Sequence, residues 1–451
     1  MKSMHKWMVA MGVATTAMAW HVAPAEACGG CFVPPEESTV VTGHRMVLSV
    51  GMEQSTLYDQ IEYSGDPADF AWVLPIRGQV DIGVSSDLVF NQLGFDTGVQ
   101  VAPPPQDCPV YTCNDRNAED ASFGATGAGG ASGEGGVNVI AQEVVGPYET
   151  VQLEATDPNA LYDWLASHSY SIPAEIEPII DDYLAEGFNF LAMKLVPGVG
   201  IDRMAPVRIT TPGAQAALPL RMVAAGTGAF TTVSLWVIGE GRYQPQNFPA
   251  FEIPAEGVIW NYDSNDSNYT ELRQQAYDAS NNYGWLVESS IQYYPDAFRS
   301  QILNVVDFNG PEQSGYDDGT GDWQAAYDAA NEDMDVLFAG MNAADVKVTR
   351  LRAELGRPAL AKDLVVEAAD DQSDVSPFIQ TTKWVGSQPA CPPPPACYDG
   401  SGSGDGPIGE RLGSGDGCAV SEDDGFDDSS LVSALLVGLG LAATRRRRRR
   451  R

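Results

Sequence analysis

The chain contains 451 residues, of which 44% are hydrophobic, and its aromatic residues are 17 Tyr, 15 Phe and 9 Trp. This aromatic content excludes a largely disordered protein. The formal net charge is −35, from 61 acidic and 26 basic residues. We therefore exclude a nucleic-acid partner, because the phosphate backbone would be repelled. The excess acids should form a solvated surface that keeps the protein soluble.

The first 27 residues have the organisation of a secretory signal peptide. Two lysines precede an apolar stretch at 8–20, and small residues follow at 23–27. This pattern predicts cleavage between Ala27 and Cys28. A lipoprotein with Cys28 at its N-terminus is the alternative, but Ala25 stands where a lipobox has a larger aliphatic residue.

The segment 38–75 is predicted to form three or four short strands. Runs rich in β-branched and aromatic residues alternate there with glycine-containing turns, which is typical of a meander. The run 70–74 is apolar throughout, which predicts a central strand buried on both faces, and Pro75 should end it. A short helix capped by Ser85 or Ser86 should follow, as far as Leu93.

Residues 103–136 are rich in proline and then in glycine, alanine and serine. They predict a flexible excursion within one domain, with a boundary between two domains as the alternative. Further strands are predicted from 137 to 238, and helices at 158–165 and 174–186. After Pro254 we expect amphipathic helices at 270–279 and 322–341, a strand at 346–351 and a short element at 359–369.

These elements predict an α+β fold with a mixed, mainly antiparallel sheet and packed helices, in one globular domain over residues 28–370. Residues 371–430 are rich in Pro, Gly, Ser and Asp and should form a flexible linker. Residues 431–451 combine a short apolar helix with seven arginines. The apolar run is shorter than the ~20 residues that span a bilayer, which favours a segment handled by membrane machinery, with the arginines on the cytoplasmic side. A surface helix followed by a basic patch is the alternative.

The seven cysteines fall into three close pairs and one single residue, Cys418. In an exported protein the simplest interpretation is three local disulfides, although six cysteines permit fifteen pairings. The pairs are Cys28/Cys31, Cys108/Cys113 and Cys391/Cys397. The first pair also has the spacing of a redox motif or half a zinc site, but we favour a structural role because no strand precedes it and no second such pair exists.

Six motifs lie in order along the body of the chain. They are Cys-Gly-Gly-Cys-Phe at 28–32, Phe-Ala-Trp-Val-Leu-Pro at 70–75 with Gly78 after it, Val-Gly-Pro-Tyr at 145–148, Leu-Tyr-Asp-Trp-Leu at 161–165, Ala-Leu-Pro-Leu-Arg at 217–221 and Val-Thr-Arg-Leu-Arg at 348–352. Together they resemble the bacterial secreted family DUF2330, over residues 28–369. The resemblance implies no particular reaction.

The tail separately resembles the C-terminal sorting signals of myxobacteria. In these signals a cysteine, a short hydrophobic helix and an arginine cluster direct processing and delivery to the cell surface. Cys418 matches the cysteine, although the spacer after it is unusually acidic. The resemblance makes Cys418 the candidate point of processing or attachment.

Few residues of the body have the pattern of a catalytic group. His44 and His168 are the histidines outside the signal peptide, and neither has a second histidine at metal or general-base spacing. We expect both to be structural, with satisfied ring nitrogens, which disfavours a Ser-His-Asp or zinc hydrolase. Lys194, Arg208 and Arg221 could stabilise anions, but we expect them to pair with acidic residues.

The loop 263–271 has carboxylate and amide oxygens at alternating positions, as in a calcium loop. Asn268 replaces the turn glycine of such a loop, and Gln274 stands where a bidentate glutamate is needed. We therefore assign no catalytic, cofactor or metal residue, and calcium is kept as an alternative.

The sequence predicts an exported structural or binding module, placed at the outer surface of the cell envelope after its tail is processed. Its predicted partners are the export and C-terminal processing machinery, and the envelope membrane through the tail. A secreted hydrolase that uses a pair of acidic residues is one alternative. A calcium-dependent surface adhesion protein is another.

Overall fold

The computed structural model describes residues 31–32, 41–60, 71–106, 108, 142–154, 158–168, 170, 176–200, 204–224, 227–317 and 319–391. The chain divides into two compact units, which are described separately. The first contains Met1–Pro104 and Gly135–Gly386, and the second contains Pro105–Glu134 and Ser387–Arg451.

The strands of the first unit are β1 (Cys31–Phe32), β2 (Val41–Val50), β3 (Gln54–Asp59), β4 (Ala71–Ile76), β5 (Asp81–Val84), β6 (Gln100–Ala102), β7 (Gln142–Val145), β8 (Tyr148–Leu153), β9 (Asn189–Leu195), β10 (Val207–Pro212), β11 (Ala217–Leu218), β12 (Thr227–Glu240), β13 (Tyr243–Pro245), β14 (Ala250–Phe251), β15 (Ile259–Asn261), β16 (Asp266–Ser267), β17 (Trp285–Gln292), β18 (Val346–Gly356), β19 (Leu364–Ala368), β20 (Phe378–Gln380) and β21 (Lys383–Val385).

Its helices are α1 (Asp87–Thr97), α2 (Pro158–Ser167), α3 (Glu177–Ala185), α4 (Leu220–Val223), α5 (Tyr269–Ala279), α6 (Pro295–Asn309), α7 (Pro311–Ser314) and α8 (Trp323–Leu337). Short 3-10 turns lie at Ala255–Gly257 and Arg357–Ala361.

The large sheet has eight strands in the order β14-β17-β18-β12-β2-β3-β10-β5. Neighbouring strands are antiparallel except for the parallel pairs β12/β2 and β14/β17. Side chains alternate between the two faces of a strand, so Leu235 and Trp236 on β12 enter different cores. The core around Trp236 includes residues of α1, α6 and α8.

The second sheet has the order β1-β4-β9-β8-β7 and is antiparallel throughout. On one face, Val73 and Phe190 pack against α2 and α3. On the other face, Leu74 and Leu191 share a core with Ile209 of the large sheet. The two sheets therefore lie face to face where β4 and β9 meet β10, and this contact positions the cavity described below.

Three small sheets complete the first unit, with the orders β11-β19-β13, β16-β15-β21 and β20-β6. The predicted α+β class, with mixed but mainly antiparallel sheets and packed helices, is confirmed. The predicted helix cap is also confirmed, because the Ser86 side chain accepts a hydrogen bond from the Leu88 backbone N–H at 3.1 Å.

Strand β4 is buried along its whole length, as predicted. It does not end at Pro75, however, and continues to Ile76. Among the described residues, β1 pairs with Ala71 and Trp72, and the partner of Pro75 is Phe190 of β9, on one side. A proline is tolerated where no second strand needs its missing N–H.

Residues 371–386 differ from the predicted linker. They belong to the first unit, where β20 pairs with β6 and β21 pairs with β15. Backbone pairing therefore holds a segment whose composition suggested flexibility. The predicted linker from 392 onward, the tail at 431–451 and the signal peptide lie outside the described residues, in which no helix has the length and apolar character to cross a membrane.

The second unit contains a disulfide between Cys108 and Cys391, which are separated by 283 positions in the sequence. The predicted pairing of Cys108 with Cys113, and of Cys391 with Cys397, is therefore wrong. Sequence proximity suggested local pairs, whereas the fold brings the two cysteines to a Cα–Cα distance of 5.4 Å. Cys28, Cys113, Cys397 and Cys418 lie outside the described residues.

Candidate binding cavity between the two sheets

A cavity of about 280 Å³ lies where the second sheet faces the large sheet. Its walls are mostly apolar side chains and come from β2, β3, β4, β10 and β11. The apolar residues of the wall include Leu48, Leu57, Leu74, Pro75, Ile76, Phe188, Ile209 and Leu218. We call this space the outer cavity.

A smaller space of about 10 Å³ shares four wall residues with the outer cavity and is called the inner cavity. The shared residues are Leu57, Leu74, Leu218 and Pro219. The inner cavity also contacts the carboxyl group at the end of β3, Asp59. An apolar cavity that leads toward a buried ionisable group is the usual form of a ligand site.

Asp59 is only 1% exposed and faces the core because it pairs with Met46 across β2 and β3. Its Oδ1 atom has no hydrogen-bond partner among the described residues. Burial raises the pKa of Asp59 to about 8, because the charged carboxylate would lose its hydration. Asp59 is therefore mainly protonated at neutral pH.

His44 lies on the same face of β2 as Met46, since the two residues are separated by one position. Its side chain is buried and neither ring nitrogen has a hydrogen-bond partner in the described part of the chain. Burial lowers the pKa of His44 to about 3, so the ring is neutral. The predicted structural placement is therefore observed, but the predicted satisfaction of its ring nitrogens is wrong.

Two carboxylates at the edge of the outer cavity are held by one arginine. Arg221 donates from Nη1 and Nη2 to the two carboxylate oxygens of Glu186, at 2.6 and 2.8 Å. It also donates from Nε and Nη2 to Asp363 Oδ2, at 3.1 and 2.8 Å. Tyr183 donates to Asp363 Oδ1 at 2.6 Å. The hydrogen bonds from Arg221 hold the pKa of Glu186 below its usual value.

Arg77 also lines the outer cavity and follows β4 directly in the chain. Its side chain is exposed, and its guanidinium carbon lies 3.9 Å from the centre of the Phe188 ring. Within the described residues, no carboxylate lies within 4.0 Å of its nitrogens. Arg77 therefore makes no direct ion pair with a described residue, although, besides the hydrogen bonds from Arg221, its charge contributes to the lowered pKa of Glu186.

A second cavity, of about 580 Å³, lies beside the N-terminus of α1 and is lined by residues that include Ser85 and Tyr316. Both residues donate to Asp333 Oδ2, at 2.5 and 2.8 Å. Arg208 donates to Asp333 Oδ1 at 3.2 Å and to Glu332 at 2.5 Å. Burial raises the pKa of Asp333, and Arg208 opposes this effect. Because both carboxylate oxygens of Asp333 are already engaged, we choose the inter-sheet cavity as the candidate site.

The structure places the other residues that the sequence suggested away from any shared site. Lys194 pairs with Glu149 at 3.7 Å, so all three predicted cations pair with acids, as expected. His168 stacks on Trp164 at 3.9 Å and contacts its backbone oxygen through Nδ1 at 2.8 Å, which confirms a structural role.

The calcium prediction at 263–271 stays a prediction. In this loop Asn268 Oδ1 accepts a hydrogen bond from the Ile259 backbone N–H at 2.7 Å. The described residues contain no group of three or more His, Cys, Asp or Glu side chains arranged to hold a metal ion.

Sequence reasoning missed Asp59, Arg77 and the carboxylates around Arg221. A usable signal existed for Asp59, because it alternates with Leu57 on the inward face of a predicted strand. For the outer cavity, two of the segments on which the family resemblance rests, 70–75 and 217–221, both contribute to its wall.

A family model described as "Uncharacterized protein conserved in bacteria (DUF2330)" matches residues 22–367. The match covers well over half of the chain and includes every residue of the candidate site. No curated protein and no solved structure matches the chain. The chain therefore belongs to the DUF2330 family of bacterial proteins.

Proposed function

We propose that the protein is an exported binding module of the cell envelope, and that the outer cavity holds a small apolar ligand. The observation that carries the proposal is an apolar cavity of about 280 Å³ that shares wall residues with a smaller space lined by buried Asp59, whose Oδ1 atom has no hydrogen-bond partner among the described residues. Buried polar groups normally have partners, so an exception beside a cavity suggests a functional site.

Binding agrees better with this cavity than the alternative of acid-pair hydrolysis. A glycosidase needs one carboxyl group with a raised pKa as the proton donor. Glu186 has a lowered pKa and both of its oxygens accept hydrogen bonds from Arg221. Asp363 accepts from Arg221 and Tyr183. These two acids are therefore held as hydrogen-bond acceptors and are poorly suited to donate a proton. Asp59 has a raised pKa, but among the described residues no second carboxyl group lines the inner cavity beside it.

The ligand proposal can be tested by titrating the full-length protein with 1-octanol, a neutral apolar probe, and following ligand-detected NMR. We expect saturable binding that weakens at least tenfold in Ala217→Phe, because Ala217 lines the outer cavity and is exposed enough to accept a larger side chain. Ala160→Phe is the matched control, on the exposed face of α2. Binding that is absent, or unchanged by Ala217→Phe, would refute the proposal.

Export and display are supported by the sequence of the two chain ends. The test is intact-mass measurement of the protein recovered from cell envelopes. We expect residues 1–27 and the terminal arginines to be missing, and Cys418 to be processed or modified. A full-length tail that carries a free Cys418 thiol would contradict the sorting signal.

A further inference from the structure

We propose that the ligand of the outer cavity is an amphipathic anion, with an apolar chain in the cavity and a carboxylate bound by Arg77. This inference rests on the proposed binding function and specifies the chemistry of the ligand. Three parts of the cavity define this ligand, namely its cation, its acids and its apolar walls.

The cation is Arg77. Its guanidinium carbon lies 3.9 Å from the centre of the Phe188 ring, and its N–H groups make no hydrogen bond with a described residue. Guanidinium groups bind carboxylates through two parallel hydrogen bonds. Arg77 lines the cavity and makes no direct ion pair within the described residues, so its N–H groups can bind a ligand carboxylate.

The acids at the cavity edge neither bind a cation readily nor repel an anion strongly. Arg221 engages both oxygens of Glu186 and one oxygen of Asp363. The remaining oxygen of Asp363 accepts from the Tyr183 hydroxyl and from the Arg221 backbone N–H. With Arg221 balancing part of their charge and their acceptor sites occupied, a ligand ammonium would have to displace existing partners. The edge therefore holds two arginines and two carboxylates, and Arg77 is the one of these four groups that makes no direct hydrogen bond or ion pair with a described residue.

The volume and the apolar lining of the cavity determine the length and character of the rest of the ligand. A space of about 280 Å³ corresponds to roughly nine water-sized groups at about 30 Å³ each, which suits an unbranched chain of about eight carbons. The inner end contacts only apolar side chains and Asp59. Because Asp59 is mainly neutral at pH 7, it does not repel the chain of an anionic ligand whose charged group remains at Arg77.

The test compares three ligands with the same chain on the full-length protein, namely octanoate, 1-octanol and octylamine, by ligand-detected NMR at pH 6.5. We expect octanoate to bind about tenfold more tightly than 1-octanol, and octylamine to bind no better than 1-octanol. In Arg77→Gln, the ratio of the octanoate affinity to the 1-octanol affinity should fall from about ten to about one. Arg299→Gln is the matched control, because Arg299 pairs with Asp335 on α8.

Each outcome separates this inference from the proposed function. Equal binding of octanoate and 1-octanol, or an Arg77→Gln variant that keeps the preference, would overturn the anion assignment and leave the binding module intact. If octylamine binds most tightly of the three, the anion assignment is overturned in favour of a cationic ligand bound at Glu186. If none of the three ligands binds, both the anion assignment and the proposed function fail.

Discussion

Replacing Asp59 by asparagine should make the protein more stable at neutral pH, by an amount that depends on pH. The carboxyl group has a pKa of about 8 in the folded chain and an ordinary value of 3.8. A raised pKa means that the folded state holds the proton more tightly. The stabilisation from this proton is complete below pH 4 and is lost as pH rises toward 8.

The size of the effect follows from the two pKa values of Asp59. Each pH unit between them changes the free energy of unfolding by about 1.4 kcal/mol. Over the roughly four units from 3.8 to about 8, the total is on the order of 6 kcal/mol. Asparagine has the same shape and no proton to lose. The free energy of unfolding of the variant should therefore equal that of the wild type near pH 4 and exceed it at higher pH.

The measurement is urea unfolding of the wild type and Asp59→Asn at pH 5, 6 and 7. The difference between the two proteins should grow by about 1.4 kcal/mol per pH unit. His44 is neutral in the folded state over this range, because its pKa is lowered to about 3, and its protonation in the unfolded state affects both proteins equally. Asp163→Asn is the control, on the exposed face of α2, and its free energy of unfolding should change with pH as that of the wild type does. A constant difference between wild type and Asp59→Asn would refute the reasoning.

Three further predictions concern other parts of the chain. Asp333→Ala should lower the free energy of unfolding by about 3–5 kcal/mol, because Arg208 would remain buried without its carboxylate partner. Glu332→Gln changes a side chain that is 66% exposed, so it should lower the free energy of unfolding by less than about 1 kcal/mol. Equal urea midpoints for the two variants would contradict this. Non-reducing peptide mapping should recover Cys108 linked to Cys391, and a Cys108–Cys113 peptide would contradict the fold. Chelation of calcium should leave the melting temperature unchanged, because Asn268 already bonds the backbone of Ile259; a lower melting temperature would revive the calcium alternative.

The fold class could be predicted because several strands and helices have unambiguous patterns. The uniformly apolar run at β4 and the serine cap of α1 are local signals, and both appear in the structure. Strand β17 was missed because its buried side chains include Glu288, Ser289 and Ser290, which do not form an apolar pattern. Helix α6 was also missed, although its buried residues Phe298, Ile302 and Val306 lie at helical spacing.

The candidate site could not be predicted, because it depends on contacts between distant segments. Arg77 and Phe188 approach each other only because β4 and β9 pair. The Cys108–Cys391 disulfide and the pairing of β20 with β6 have the same origin. A sequence shows neither which cation lacks a partner nor which acid is buried until the strand order is known.

The parallel pair of β6 and β20 has a mechanical consequence for a force applied at the C-terminal side of the chain. Ala102 and Gln380 are the last residues of the two strands and lie opposite each other. Beyond Gln380, β21 pairs with β15 before the chain reaches Cys391. While the Cys108–Cys391 disulfide is intact, a pull beyond Cys391 is divided between β21 and the segment that follows β6. After its reduction the whole load would reach β21 first, so reducing conditions would lower the force that the C-terminal strands withstand.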